Sequence, residues 1–180
     1  YLLAVGFFIY FLRHGMVFPL IPLYAQSLGA VESRIGLVVA CFHLLSVFLA
    51  IPLGGLMERF GLRVMLACGA GCNLAYSLLL LATDSFILLI MAQVVGGLGF
   101  LLLIVATQTY VGSQEQDRFR ERGFGLITLA AAVGQTLGPA AGGFLLSRVD
   151  YGGVFGAALG LAVLGTVVVA VPGLQGRRQS

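Results

Sequence analysis

Gly134-Gln-Thr-Leu-Gly138-Pro139-Ala-Ala-Gly142-Gly143 lies inside an apolar segment long enough to cross a membrane, and its spacing decides how that segment is used. Gly134, Gly138 and Gly142 recur every four residues, so on a helix they share one face. Small residues on one face cut a groove into which another helix backbone can settle. Pro139 has no amide hydrogen, so the carbonyl of Gln135 loses its partner and the helix is expected to bend there. With Gly125 upstream the full pattern reads G-x8-G-x3-G-P-x2-G-G. An isolated G-x3-G would be an ordinary packing helix. A helix both grooved and bent suits a moving interface.

Working outward, the whole chain is apolar. Hydrophobic residues make up 59% of the 180 and charged residues 9%, with a mean hydropathy of +1.05. Six stretches approach the roughly 20 apolar residues a crossing needs: 1–25, 35–57, 64–82, 86–111, 123–147 and 153–171. Unpaired backbone amides in lipid exclude open strands, so the fold class expected is an all-α membrane protein, one bundle of six transmembrane helices over residues 1–180.

Orientation follows from the arginines. Arg59, Arg63, Arg118, Arg120, Arg122, Arg177 and Arg178 fall on one side, and only Arg34 and Arg148 on the other. By the positive-inside rule both termini are expected in the cytoplasm. The net charge of +3 is thereby topological, and nucleic acid is not an expected partner. The stretch Gln114-Glu-Gln-Asp-Arg-Phe-Arg-Glu-Arg122 mixes signs and reads as a solvated connection, not a polybasic lipid-binding run. Chain start Tyr1 has no initiator Met, basic leader or cleavage site, so the opening segment reads as a trimmed first span and not a signal peptide.

Cys41, Cys68 and Cys72 all fall within spans, where buried thiols are packing residues. Cys68 and Cys72 share a helix face, yet no His or carboxylate is near them in sequence, so neither a metal nor any other cofactor is expected. Gly54-Gly-Leu-Met-Glu58-Arg59-Phe-Gly61-Leu-Arg63 reads as a tight turn between two crossings. Gly61 permits a backbone conformation other residues resist, and Arg59 sits where a helix dipole favours a cation. Glu58 can pair with a nearby Arg or cap the next helix.

Together these residues resemble the major facilitator superfamily, specifically its drug/proton antiporter branch. Gly54, Arg59, Gly61 and Arg63 match the superfamily's motif A, G-x-x-x-D-R-x-G-R-R, with Glu58 for the usual Asp and Leu62 for the first Arg of the closing pair. Gly125, Gly134, Gly138, Pro139, Gly142 and Gly143 match every position of motif C, the antiporter signature. Gly15-Met-Val-Phe-Pro19-Leu-Ile-Pro22-Leu-Tyr24 is similar to the opening of such transporters. In motif B, Gly97 and Gly99 fit, but Gln93 stands where the family has a membrane-embedded Arg, so Arg-assisted proton coupling there is not implied.

The resemblance implies a six-helix half built from two three-helix inverted repeats, which needs a second half, from the same chain or another copy, for alternating access. A short echo supports the repeat: Pro52, Gly54, Gly55, Arg59 and Gly61 against Pro139, Gly142, Gly143, Arg148 and Gly152. It also implies that the first, second, fourth and fifth crossings line a cavity while the third and sixth face outward.

Polar residues at membrane depth are costly and mark function. The candidates are Arg13 and His14, His43 and Ser46, Asn73 and Tyr76, Gln93, Thr107 and Gln108, and Gln135. The implied cavity favours Arg13, His14, His43, Gln93 and Gln108 as substrate-binding residues and demotes Asn73. No Asp or Glu lies inside a span, so either His14 or His43 carries a coupled proton, or Arg13 attracts an anionic solute with coupling elsewhere. Phe7, Phe11, Phe18, Phe42, Phe48 and Phe100 suggest a cavity for an amphipathic solute. The expected function is efflux-type secondary transport, with proton antiport; the competing class is a natural or engineered six-helix module that folds or homodimerises without transport. No Ser/His/Asp or paired-carboxylate constellation points to an enzyme.

Overall fold

A computed structural model describes the backbone of residues 2–175, with the side chains of 45, 46, 50–54, 56–58 and 169–175 left outside the description. Six helices follow in order: α1 (Leu2–Val17), α2 (Leu20–Ser27), α3 (Glu32–Leu81), α4 (Phe86–Gly112), α5 (Asp117–Leu146) and α6 (Tyr151–Gln175). They make six crossings long and apolar enough to span a membrane, at Leu2–Ser27, Glu32–Leu49, Arg59–Leu81, Phe86–Gly112, Asp117–Leu146 and Tyr151–Val168. The chain is an integral membrane protein.

The first crossing is not one helix. Proline at 19 has no amide to offer the carbonyl of Gly15, and the helix breaks at Phe18–Pro19 before resuming as α2. The second and third crossings run together as α3, whose one non-helical residue is Gly61 at φ 76° and ψ 164°. Only glycine adopts that region without strain, so a single residue replaces the turn expected there. Ser85 caps α4 by accepting a hydrogen bond from the Leu88 amide (3.4 Å), and Asp150 accepts one from the Gly153 amide (2.8 Å) at the start of α6.

Packing follows a repeated scheme. The first crossing lies against the fifth and the sixth, while the fourth lies against both arms of α3, the second and third crossings. In two three-helix repeats, the first helix of each thus packs against the second and third helices of the other. Two cores result. One joins Phe7, Tyr10 and Phe11 of α1 to Met65 and Leu66 of α3 and Leu101–Leu103 of α4. The other joins Val17, Ile21, Tyr76, Leu89 and Phe155. Tyr24 ties α2 to the end of α3 by donating to the Thr83 carbonyl (2.6 Å).

Candidate functional site

The groove on α5 is filled by α1. A Cβ built on Gly134 would stand 2.8 Å from the Leu12 amide nitrogen; one on Gly138 would stand 2.6 Å from Gly15 Cα. One on Gly142 would fall on the Met16 carbonyl oxygen, and one on Gly15 would meet Gly138 Cα at 3.2 Å and the Gln135 carbonyl oxygen at 3.3 Å. Backbone therefore touches backbone over about two turns of α5, which only glycine permits. Both helices arrive with a carbonyl that proline has freed: Gly15, four residues before Pro19, and Gln135, four before Pro139. Despite Pro139, α5 continues as one helix from Asp117 to Leu146. Gly125 and Gly143 have nothing within 4 Å of a Cβ position, so the six motif C residues divide into a packed set and an open one.

The glycines of α4 do the same for α3. Gly97 leaves room for the Phe42 carbonyl of the second crossing. Gly96 faces the Tyr76 ring (2.7 Å from a Cβ position) and Gly99 faces Cys72 and Asn73, all on the third crossing.

His14 and His43 meet in a cluster of aromatic rings. The His14 ring stacks on Phe18 (centroids 5.0 Å) and Phe100 (5.3 Å) and lies 5.2 Å from Phe42. His43 meets Phe42 edge-on at 5.1 Å and Phe18 at 5.5 Å. Thus α1, the first arm of α3 and α4 contribute to one aromatic wall, with His14 half-buried in it and His43 exposed at its margin. Phe11 and Phe100 extend the wall at 6.1 Å, whereas Phe48 is exposed.

Arg13 turns the other way. It is 2% exposed, its Nη1 donates to Ser77 Oγ at 3.0 Å and its Nη2 donates to Asn73 Oδ1. The guanidinium sits 5.3 Å from the centroids of both the Tyr10 and Tyr76 rings, which solvate a cation through their faces. Asn73, demoted above on the argument that the third crossing faces outward, is the principal partner of Arg13. The reason is geometric: the inner face of the third crossing packs on α4 and delivers Asn73 and Ser77, one turn apart, into the bundle.

The other candidates do not gather at one place. Gln93 is wholly buried, with neither amide atom bonded to any described residue. Gln108 is exposed fifteen residues further along α4, roughly 22 Å away at helical rise. Thr107 is buried and Gln135 exposed. Of motif A, Gly61 makes the bend, Arg59 lies over the Phe60 ring (5.6 Å) and Arg63 is exposed. Gly54, Ser46, Pro52 and the Glu58 side chain, like Arg177 and Arg178, fall outside the described residues. Near the starts of α1 and α5 and the end of α4, a cavity of about 240 Å³ opens among Leu3, Tyr110, Gln114, Phe119 and Leu126. The three cysteines are free thiols, and no group of three or more His, Cys, Asp or Glu converges among the described residues. Tyr76 and Ser77 follow Asn73 by three and four residues, and that helical spacing is the sequence signal for them as Arg13 partners.

A polytopic bundle with glycine-cut crossings and an aromatic wall at its second, first and fourth crossings defines a membrane protein of the facilitator type. The sequence profile of the Major Facilitator Superfamily matches residues 3–177, and the chain belongs to that family. It is similar to the quinolone resistance protein NorA of Staphylococcus aureus (strain MRSA252), 26% identical over 146 residues, or 81% of this chain and 37% of NorA. It is also similar to multidrug resistance protein 1 of Bacillus subtilis (strain 168), 25% identical over 184 residues, or 95% of this chain and 45% of that protein. The chain thus spans less than half the length of these curated relatives.

Proposed function

We propose that the protein carrying this chain is an efflux-type secondary transporter of a small amphipathic solute, in which these six crossings form one half and work by alternating access against a second. The observation that carries the reading is the aromatic wall around His14 and His43. Stacked and edge-on rings offer a flat apolar solute van der Waals contact plus ring–ring attraction of about 0.5–1.5 kcal/mol per pair. The names of the relatives, a quinolone resistance and a multidrug resistance protein, support a solute of that kind. The burial of Arg13 against Asn73 and Ser77 favours an amphipathic solute over an anionic one captured by that residue.

Coupling to protons is part of the proposal. Every acidic residue lies at or near the end of a crossing or in a connection, so within this half the proton-exchanging candidates at membrane depth are the imidazoles of His14 and His43. The membrane proposed is a plasma or bacterial inner membrane with both termini in the cytoplasm, since the described arginines at 59, 63, 118, 120 and 122 cluster at one side. The test is efflux of a fluorescent aromatic cation from proteoliposomes holding the full protein, across a pH series, with His14→Ala and His43→Ala. Flux that loses its pH dependence in either variant supports the reading. Equal pH dependence in both sinks the histidine carrier, and no flux from folded protein sinks transport in favour of a non-transporting module.

A further inference from the structure

We infer that the cavity beside Arg13 is a binding site for a small inorganic anion of chloride size. Arg13 is the one fully buried charge among the described residues, and everything that touches it is neutral: the Asn73 amide, the Ser77 hydroxyl and the rings of Tyr10 and Tyr76. A buried charge is ordinarily paired, because its lost hydration is not recovered from neutral dipoles alone. The carboxylates of the crossings, Glu32, Asp117 and Glu121, lie at or near their ends, and none forms an ion pair with Arg13 among the described residues.

A cavity of about 30 Å³ adjoins the guanidinium between the first, third, fourth and sixth crossings, walled by Tyr10, Arg13, Asn73, Gly165 and Thr166 among others. Two polar atoms of its lining residues have no partner among the described residues, Arg13 Nε and the Tyr10 hydroxyl, and both residues are more than nine-tenths buried. Both can donate a hydrogen. Of the other donors on the wall, Asn73 Nδ2 gives one of its two hydrogens to the Gly69 carbonyl (2.8 Å) and Thr166 Oγ1 gives its own to the Ala162 carbonyl (2.8 Å). Leftover donors beside a cation call for an acceptor that carries negative charge. The volume has room for one or two water-sized particles, which selects a monoatomic anion over a carboxylate-bearing solute. Gly6 and Gly165 are among its lining residues.

The cavity lies on the Arg13 side of α1, and Tyr10 joins it to the aromatic wall, lining the cavity while its ring packs on Phe11 and Phe100. The experiment is thermal unfolding of the full protein in detergent at constant ionic strength, with chloride replacing gluconate. The expected result is a saturable rise in the midpoint with chloride, reproduced by bromide and absent with sulfate, which exceeds the cavity. Arg13→Gln should abolish the response. Tyr10→Phe keeps the ring that packs on Phe11 and Phe100 and removes one donor, so it should weaken apparent chloride affinity about tenfold even where Arg13→Gln does not fold. Identical midpoints in chloride and gluconate overturn the site. So does a chloride response left unchanged by Tyr10→Phe, which places the ion elsewhere.

Discussion

Alanine at Gly138 should separate the first and fifth crossings, whereas alanine at Gly143, in the same motif, should not. At Gly138 the new Cβ would lie 2.6 Å from Gly15 Cα and carbonyl carbon and 2.7 Å from the Met16 nitrogen, against about 3.4 Å for ordinary contact. The shortfall is 3.4 − 2.6, about 0.8 Å, and it is met by backbone on both sides, so no rotamer change relieves it. A gap of that size forfeits a quarter to a half of each dispersion contact around it. Overpacking of this kind costs about 1–3 kcal/mol, and here the stiffness of two helices favours the upper end. Gly143 and Gly125 have open space at the Cβ position, where alanine improves helix propensity by up to about 1 kcal/mol. The assay is the unfolding midpoint of each variant in mild detergent, with Gly125→Ala as a third point. The expected order places Gly138→Ala well below the parent and the other two at or above it. Equal midpoints for Gly138→Ala and Gly143→Ala would refute the claim that the groove is closed on α1.

Replacing Asn73 by Leu leaves the Arg13 guanidinium without its nearest acceptor and should destabilise by about 3 kcal/mol. Because removing both partners is gentler than removing one, Arg13→Met/Asn73→Leu should melt higher than Asn73→Leu alone, which a double-mutant cycle of midpoints checks. Gly61→Ala meets no atom within 4 Å, so its whole effect is backbone strain at φ 76°, about 1–3 kcal/mol read as a lowered midpoint; an unchanged midpoint means the bend relaxes freely.

The crossings were legible because length and hydropathy are summed over many residues, and local errors cancel. Their ends were not. The stretch 35–57 was expected to stop before Glu58, and the structure instead carries helix through to Gly61, where one positive φ does the turning. The span 1–25 contained Pro19 and Pro22 in plain view, yet where a proline breaks a helix and where it is carried through depends on packing: Pro19 breaks α1 and Pro139 leaves α5 whole. The groove on α5 could be read from its spacing, but its occupant could not. A stripe of glycines records that something comes close without recording what. Arg13 shows the same limit from the other side: its cost in lipid marked it, and its direction had to come from the neighbours.

Three successive residues of α1 point at three different neighbours. Arg13 reaches Asn73 and Ser77 on the third crossing, His14 enters the rings of Phe42 and Phe100 on the second and fourth, and Gly15 lies on Gly138 of the fifth. A helix advances its side chains by about 100° per residue, so such a triplet spans about 200°, more than half the circumference. The helix cannot rotate to improve one contact without losing the others. Of the three, the Gly15 contact is set by backbone and is the least adjustable, while the arginine and histidine side chains can follow a small shift through their rotamers. Gly15 and Gly138 therefore fix the angle at which α1 presents His14 to the wall. If His14 contacts the solute, a side chain added at Gly15 should change transport through the orientation of its neighbour, even though Gly15 itself faces another helix.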